Sequence, residues 1–232
     1  FGNSGISVCD GIHFVELKPP SVIQALHAAN ADEYIHIFTG YKTKRTMNIT
    51  IRPLTPDLLN DYLFFFDNIV FTENPDWSKC YCYSFHFTGT REQWNKKANR
   101  AAVAHLISAG KMRGYLAYSD NTPVGWCNAN DRDNYQRLKT IYDLDGDPGD
   151  KICSVVCFLI HPKYRGKRIA KMLLDSVIDE YTVKAYNYLE AYPMKTGSSC
   201  EKNYKGPLSL YEKSNFRKVK EQDHYFIVRR AL

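Results

Sequence analysis

The stretch FLIHPKYRGKRIAKMLL, Phe158 to Leu174, changes its periodicity half-way along. It opens as the end of KICSVVCFLI, a nearly continuous β-branched and apolar run of the kind that forms a strand buried on both faces. His161-Pro162 closes that strand. From Arg168 the apolar residues recur at helical spacing, with Ile169, Leu173 and Val177 on one side and Ala170, Leu174 and Ile178 beside them. Between strand and helix lies a turn holding Gly166 and the cations Lys163, Arg165, Lys167 and Arg168. A helix start carries free N–H groups and about half a positive elementary charge. Strand, basic turn and helix therefore suit an anion, with Gly166 admitting a phosphate close to the backbone and Lys167, Arg168 and Lys171 adding charge. A glycine turn with solvated cations fits the same residues equally well.

Upstream, the regular pattern begins at Asn48. NITIRPL alternates like a strand, and TPDLLNDYLFFFDNIV places Leu58, Tyr62, Phe65 and Ile69 on one helical face. A second helix is predicted to start at TREQ, Thr90 to Gln93, which has the form of a capping box, and to stop at Gly110. RGYLAYSDNTPVGWCNA reads as a hairpin turning at Asp120 to Pro123, which sets Gly125 and Trp126 beside Leu116 and Tyr118. Asn130 to Asp150 reads as a polar insertion. Its Asp143, Asp145 and Asp147 have calcium-loop spacing, but Pro148 stands where such a loop turns on glycine and Ser154 where it closes on glutamate, so a solvated loop is expected. Residues 1–46 read as an N-terminal extension, with Ser21 capping a short helix, packed on a main domain of residues 47–232.

Composition narrows the class of function. With 31 basic residues interleaved among 25 acidic ones, the formal charge of +6 does not mark a nucleic-acid surface, and a small anionic ligand fits better. Seven cysteines, an odd number without the spacing of a disulfide framework, point to reduced thiols and a cytoplasmic setting. The longest apolar run, Val155 to Ile160, is too short for a membrane span, and the first thirty residues have neither the basic start nor the apolar stretch of a signal peptide.

The succession of strand, HPKYRGKRIAKMLL, a strand YLEAYP and then GPLSLYEKSNF resembles the GCN5-related N-acetyltransferase (GNAT) superfamily, over roughly Asn48 to Arg229. The resemblance implies an α/β (α+β) fold with a mixed central sheet of about six to seven strands flanked by helices. It also implies acetyl-CoA as co-substrate, with no metal, and direct transfer of acetyl to a primary amine by a monomer or homodimer. The family signature is Gln or Arg, two variable residues, Gly, one variable residue, then Gly or Ala. Arg165 and Ala170 match it, and Arg168 replaces the middle glycine, which a right-handed helical φ would accommodate.

Further roles follow from the resemblance. Phe158, Leu159 and Ile160 would pair by main chain with the pantetheine arm, and Gly166, Lys167, Arg168, Ile169, Ala170 and Lys171 would hold the diphosphate beside Arg165. Asn203 stands one residue out of register with an asparagine that often precedes the tyrosine helix. Tyr211, in LYEKSNF, matches the tyrosine that protonates the departing thiolate, and Glu190, in YLEAYP, matches a glutamate used as base in some members. Two alternatives share the scaffold: an acyl-CoA sensor without turnover, and a protein or peptide acetyltransferase.

NPDWSKCYCYSFHF, Asn74 to Phe87, is the most unusual segment. If Cys80 to Phe87 is extended, Cys80, Cys82, Ser84 and His86 share one face and Tyr81, Tyr83, Phe85 and Phe87 the other. The Cys/Cys/His face admits three readings: a wall of the acceptor pocket, a metal site, or buried inert thiols. A structural zinc site needs a fourth ligand and wider cysteine spacing. The reading carried forward places Trp77, Cys80, Cys82, His86 and Trp126 against a small-molecule acceptor, with no metal.

Overall fold

The computed structural model describes residues 47–142, 144, 149–195 and 203–232. The expected Ser21 helix and the whole extension of residues 1–46 lie outside them, as do Asp143, Asp145 and Asp147.

Among the described residues seven strands form one sheet: β1 Ile49–Pro53, β2 Tyr115–Ser119, β3 Thr122–Asp131, β4 Ile152–Ile160, β5 Tyr188–Ala191, β6 Arg217–Glu221 and β7 Phe226–Ala231. Their spatial order is β1-β2-β3-β4-β5-β7-β6. Only the β4–β5 pair is parallel; its connection carries the long helix α4, Ile169–Val183, as a parallel crossover requires. The other helices are α1 Leu59–Asn68, α2 Lys96–Ser108, α3 Leu138–Ile141 and α5 Leu208–Glu212. This is the mixed sheet flanked by helices that the family resemblance implied.

Two apolar clusters cover the two faces of the sheet. Tyr62, Leu63, Phe65 and Phe66 of α1 pack with Val103 and Ile107 of α2, Trp126 of β3 and Val156 of β4. On the other face Ile169, Leu173, Leu174, Val177 and Ile178 of α4 pack with Cys153, Val155 and Phe158 of β4. Successive strand residues point to opposite faces, so β4 feeds both cores, and Ile152 to Phe158 are all buried. That burial explains why the strand has no polar alternation.

Three expectations are corrected in detail. The capping box at Thr90 forms, but it closes a single 3₁₀ turn, Arg91–Gln93; α2 starts later, capped by Asn95, whose side chain accepts from Ala98 N at 2.9 Å. Asn130 to Asp150 is not simply a polar insertion, because Tyr135, Leu138 and Tyr142 sink into the first cluster and tie it down. Cys80 to Phe87 is not extended. It runs as successive turns, with Tyr81 at φ +44° and Cys82 at φ +52°, so the even–odd division of side chains fails and Tyr81, Cys82 and Phe85 are all buried.

Candidate active site

β4 pairs with β3 along its length from Cys153 to Ile160, but with β5 only from Ile152 to Val155. Beyond Val155 the two parallel strands part, because β5 ends at Ala191 while β4 runs on for five more residues. Of that exposed edge, the Phe158 N–H donates to the Tyr204 carbonyl at 2.5 Å. Where β4 stops, Pro162–Tyr164 makes a 3₁₀ turn capped by His161, whose Nδ1 accepts from Lys163 N at 3.1 Å. Gly166 follows at φ +74°, with open space where a Cβ would stand.

Arg168 caps α4 at φ +63°, in the left-handed region, and not at the right-handed φ expected of it. The turn thus keeps the backbone path that a glycine would take, at the steric cost of a Cβ there. The first N–H groups of α4 have no partner inside the helix, and no side chain of the Arg168 cap meets them. Two of the expected phosphate cations already have carboxylate partners: Arg165 meets Glu73 at 2.7 Å and Lys171 meets Asp175. Lys167 lies over the Tyr164 ring, 4.8 Å from its centre.

From Arg165 a narrow crevice follows Phe158, Leu159 and Ile160, and it shares Phe71, Trp77, Leu159 and Tyr204 with a larger cavity of about 290 Å³. That cavity brings together Trp77, Cys80 and Cys82 of the expected acceptor wall and adds Cys157 from β4. A basic turn before a helix start, a strand edge and an apolar chamber therefore adjoin one another. A profile of the acetyltransferase (GNAT) family matches residues 74–205, which includes all three.

The chain belongs to the acetyltransferase (GNAT) family.

Among solved structures, this acetyltransferase is similar to the PaiA N-acetyltransferase of Thermoplasma acidophilum in complex with coenzyme A, at 16% identity, over 80% of this chain and 100% of that one, with a TM-score of 0.49. It is similar also to the NatC complex bound to Gag peptide and CoA, at 15% identity, 80% and 99% coverage and a TM-score of 0.49. An N-acetyltransferase from Staphylococcus aureus Mu50 matches at 18% identity, 80% and 98% coverage and a TM-score of 0.44. No curated protein matches the chain significantly.

The remaining expected residues of the acetyltransferase do not line the chamber. Trp126 is wholly buried with its ring edge-on to Tyr62, 4.9 Å between centres. His86 packs against Tyr135, and burial pulls its imidazole down to about 4 against a smaller opposing effect of the Asn134 main chain. Glu190 is buried on β5 with both oxygens engaged: Arg229 donates to one at 2.7 Å, Tyr192 donates to the other at 2.7 Å, and Arg132 approaches at 3.6 Å. A carboxylate so held anchors its neighbours. Tyr211 is buried in the second cluster, and its hydroxyl donates to the Lys205 carbonyl at 2.6 Å. Asn203 begins the short segment that carries Tyr204 and Lys205 across the mouth between β4 and α5, with its own carbonyl accepting from Gly206 N.

Two features had no signal in the sequence. The Lys205 amine lies over the rings of Tyr142, Tyr204 and Tyr225, 5.0, 5.8 and 6.0 Å from their centres, and burial lowers its pKa to about 8. The Cys82 thiol sits beside Cys157 and accepts from the Asn128 amide at 3.2 Å. Burial alone would push this thiol up, but the Asn128 hydrogen bond and the nearby Cys157 and Trp126 outweigh it and bring Cys82 below the ordinary thiol range. Cys157 moves the other way, well above that range, chiefly through the nearby Cys82 and then through burial.

Proposed function

We propose that the chain is an acetyl-CoA-dependent N-acetyltransferase acting on a primary amine of a small molecule. The observation that carries this reading is the continuous path from Arg165, in the turn that leads to α4, along the β4 edge at Phe158–Ile160, into the chamber at Trp77. Its parts match the donor in order. Gly166 to Lys171 hold the diphosphate through backbone N–H groups, with Arg165 turning from Glu73 to assist. The main chain of Phe158 to Ile160 pairs with the pantetheine amides, Asn203 supports that arm, and the thioester points into the chamber.

For the Phe158 N–H and the Tyr211 hydroxyl to meet the donor, they must exchange the Tyr204 and Lys205 carbonyls that they now contact for donor atoms. Tyr211 then protonates the departing thiolate. Glu190 acts as a positioning residue through Arg229 and Tyr192, and water in the chamber takes the ammonium proton. Support for a small acceptor comes from the size and apolar lining of the chamber, which suits a compact amine. Residues 47–232 make up the catalytic domain, with 1–46 as an extension to it. Among the described residues no helix is long and apolar enough to cross a membrane, and the reading places the enzyme in the cytoplasm.

The test has two parts. Coenzyme A at about 100 times its dissociation constant should stabilise the protein by roughly 2.7 kcal/mol, seen as a raised melting temperature. Thiol release from acetyl-CoA should then depend on one member of a panel of polyamines, aminoglycosides, amino acids and peptides. In Tyr211→Phe, turnover with that amine should fall by about 100-fold with donor affinity retained. An unchanged melting temperature at millimolar coenzyme A would remove the reading.

A further inference from the structure

The chamber adjoins a second concavity that the donor path does not use. An open recess of about 610 Å³ lies between the turns that carry Ser84 to Trp94 and the segment Gln136 to Thr140, and it shares Ser84 and Trp94 with the chamber. With the crevice that runs from Arg165 along β4 it shares no residue. The chamber therefore has two neighbours. The crevice meets it at Trp77 and Leu159, and the recess meets it at Ser84 and Trp94.

The recess carries charge of one sign. Arg91 and Arg137 line it and no carboxylate does, whereas the chamber has one charge of each sign, Asp76 and Lys79. Lys139, next along the chain, is paired with Asp133 at 2.9 Å, but among the described residues neither arginine meets a carboxylate. Arg137 is firmly placed. Its main-chain N–H donates to the Phe85 carbonyl at 3.0 Å, its guanidinium donates to the Ser84 carbonyl at 3.4 Å, and Tyr135 and Leu138 on either side of it are buried in the core. One contact of that kind leaves most of the guanidinium's donors for a ligand.

Arg91 opens a turn closed by its own capping box, in which the Gln93 side chain accepts from Thr90 N at 2.9 Å. The wall common to both cavities is fixed as well: the Trp94 ring stacks on Tyr83, 6.3 Å between centres, and meets Phe87 edge-on at 4.9 Å. A guanidinium presents a planar fork that matches the two oxygens of a carboxylate or a phosphate. Two such groups on fixed backbone, next to a wall of the chamber, suit an oxyanion.

We propose that the acceptor is a small primary amine that also carries a carboxylate or a phosphate, with its amine in the chamber and its anion on Arg91 and Arg137 in the recess. This rests on the function proposed above and names its substrate class. The acceptor then comes from the Trp94 side while the thioester comes from the Leu159 side, so the two do not compete for space. Both arginines touch substrate away from the reacting atoms. They select the amine and orient it, and they move no proton.

The test measures thiol release from acetyl-CoA with straight-chain primary amines of graded length, each ending in a carboxylate, a phosphate, a hydroxyl or a second ammonium. At one favoured length an anionic end should raise kcat/KM by about 10-fold or more over the hydroxyl, with the diamine poorest, and the better of the two anions identifies the group. The length optimum matters because a chain of formal charge +6 would attract any anion, whereas fixed arginines favour one spacing. Arg137→Gln should remove that preference through the acceptor's KM, with the KM for acetyl-CoA and the melting shift with coenzyme A retained. Arg137→Lys keeps the charge without the fork and should restore only part of it. Arg91→Gln, at an exposed position outside the core, should act in the same direction and more weakly. The proposal is overturned if anionic and hydroxyl amines turn over alike, if no chain length is favoured, or if the preference survives both glutamine substitutions, and the acetyltransferase reading then stands with another acceptor. A melting shift with coenzyme A but no turnover of any anionic amine overturns it equally. Neither melting shift nor thiol release with any amine removes both proposals together.

Discussion

Two stretches of similar length face the same chamber, and they differ in what holds their backbone. From Phe158 to Leu174 the chain is strand, turn and helix, and nearly all of its main-chain hydrogen bonds belong to those elements or their caps. From Asn74 to Phe87 there is neither strand nor α-helix, and the carbonyls of Lys79, Tyr81 and Cys82 are met by Asn99, Tyr62 and Asn128, which lie 20, 19 and 46 residues away. Where backbone satisfies backbone, side-chain periodicity follows the element and can be read locally. Where distant side chains satisfy it, no periodicity is left to read.

The first way to break this comparison is to damage the regular stretch without unfolding it. Ala170 lies in the first turn of α4, among the first N–H groups of the helix, and is only partly buried. If the first turn of α4 holds the diphosphate as proposed, Ala170→Phe should lower coenzyme A affinity by about 100-fold or more, close to 2.7 kcal/mol, because the ring would fill that position. Lys171→Ala should weaken binding by only a few-fold and in a salt-dependent manner, since Lys171 is already shared with Asp175. Calorimetric titration of both variants checks this, and equal losses would mean that charge, not backbone approach, holds the donor.

The irregular stretch should fail first in acid. His86 titrates at about 4 in the fold against an ordinary value of 6.5, because burial disfavours the cation and Nε2 has no hydrogen-bond partner among the described residues. Between these values the unfolded chain binds a proton that the folded chain refuses. Stability from this group is therefore complete above pH 6.5 and is lost as pH falls toward 4, by up to about 3 kcal/mol. Urea unfolding at pH 7 and pH 4.5 should show the loss in the parent and a smaller one in His86→Phe. A parallel pH dependence in the two would place the acid sensitivity elsewhere.

A smaller effect isolates one clamp of the strained turn. Tyr62→Phe keeps the ring that stacks on Phe66 but leaves the buried Tyr81 carbonyl without its donor, which should cost about 1 to 3 kcal/mol. The loss should appear as a lower urea midpoint with an unchanged slope. If the midpoint does not move, the turn is held by packing alone.

These contrasts also mark how far the sequence could be read. Strand β4, the basic turn, α4 and the β2–β3 hairpin are all visible in it, because one residue's partners there are its neighbours along the element. The helical face of Leu58, Tyr62 and Phe65 is visible for the same reason, and all three are buried. An extended chain from Cys80 would put Cys80, Cys82 and His86 on one face, but Tyr81 and Cys82 turn left-handed, so the chamber collects Cys80 and Cys82 with Trp77 by a different route and leaves His86 out. Asn128 and Tyr135 were invisible as supports for Cys82, since their roles arise only when β3 and the segment after it are brought against a turn 46 residues earlier. Lys205 was likewise unreadable, because the three tyrosines around its amine come from separate parts of the chain.

The smallest effect lies within the regular stretch, at the single position where local rules failed. Arg168 occupies a left-handed conformation that costs a non-glycine residue roughly 1 to 2 kcal/mol, while glycine there would give back part of the gain through the greater freedom of its unfolded chain. Arg168→Gly should therefore stabilise the protein by about 0.5 kcal/mol, measured as a raised urea midpoint. Arg168→Ala keeps the left-handed strain and removes the guanidinium, so its midpoint should stay near the parent's. Donor binding then separates backbone from side chain: if the left-handed path alone shapes the diphosphate cradle, both variants should bind coenzyme A as the parent does. If the guanidinium contacts the phosphates, both should lose affinity by a few-fold, in the glycine variant despite its higher stability. Destabilisation by Arg168→Gly would show that the arginine side chain contributes more to holding this turn than its backbone strain removes.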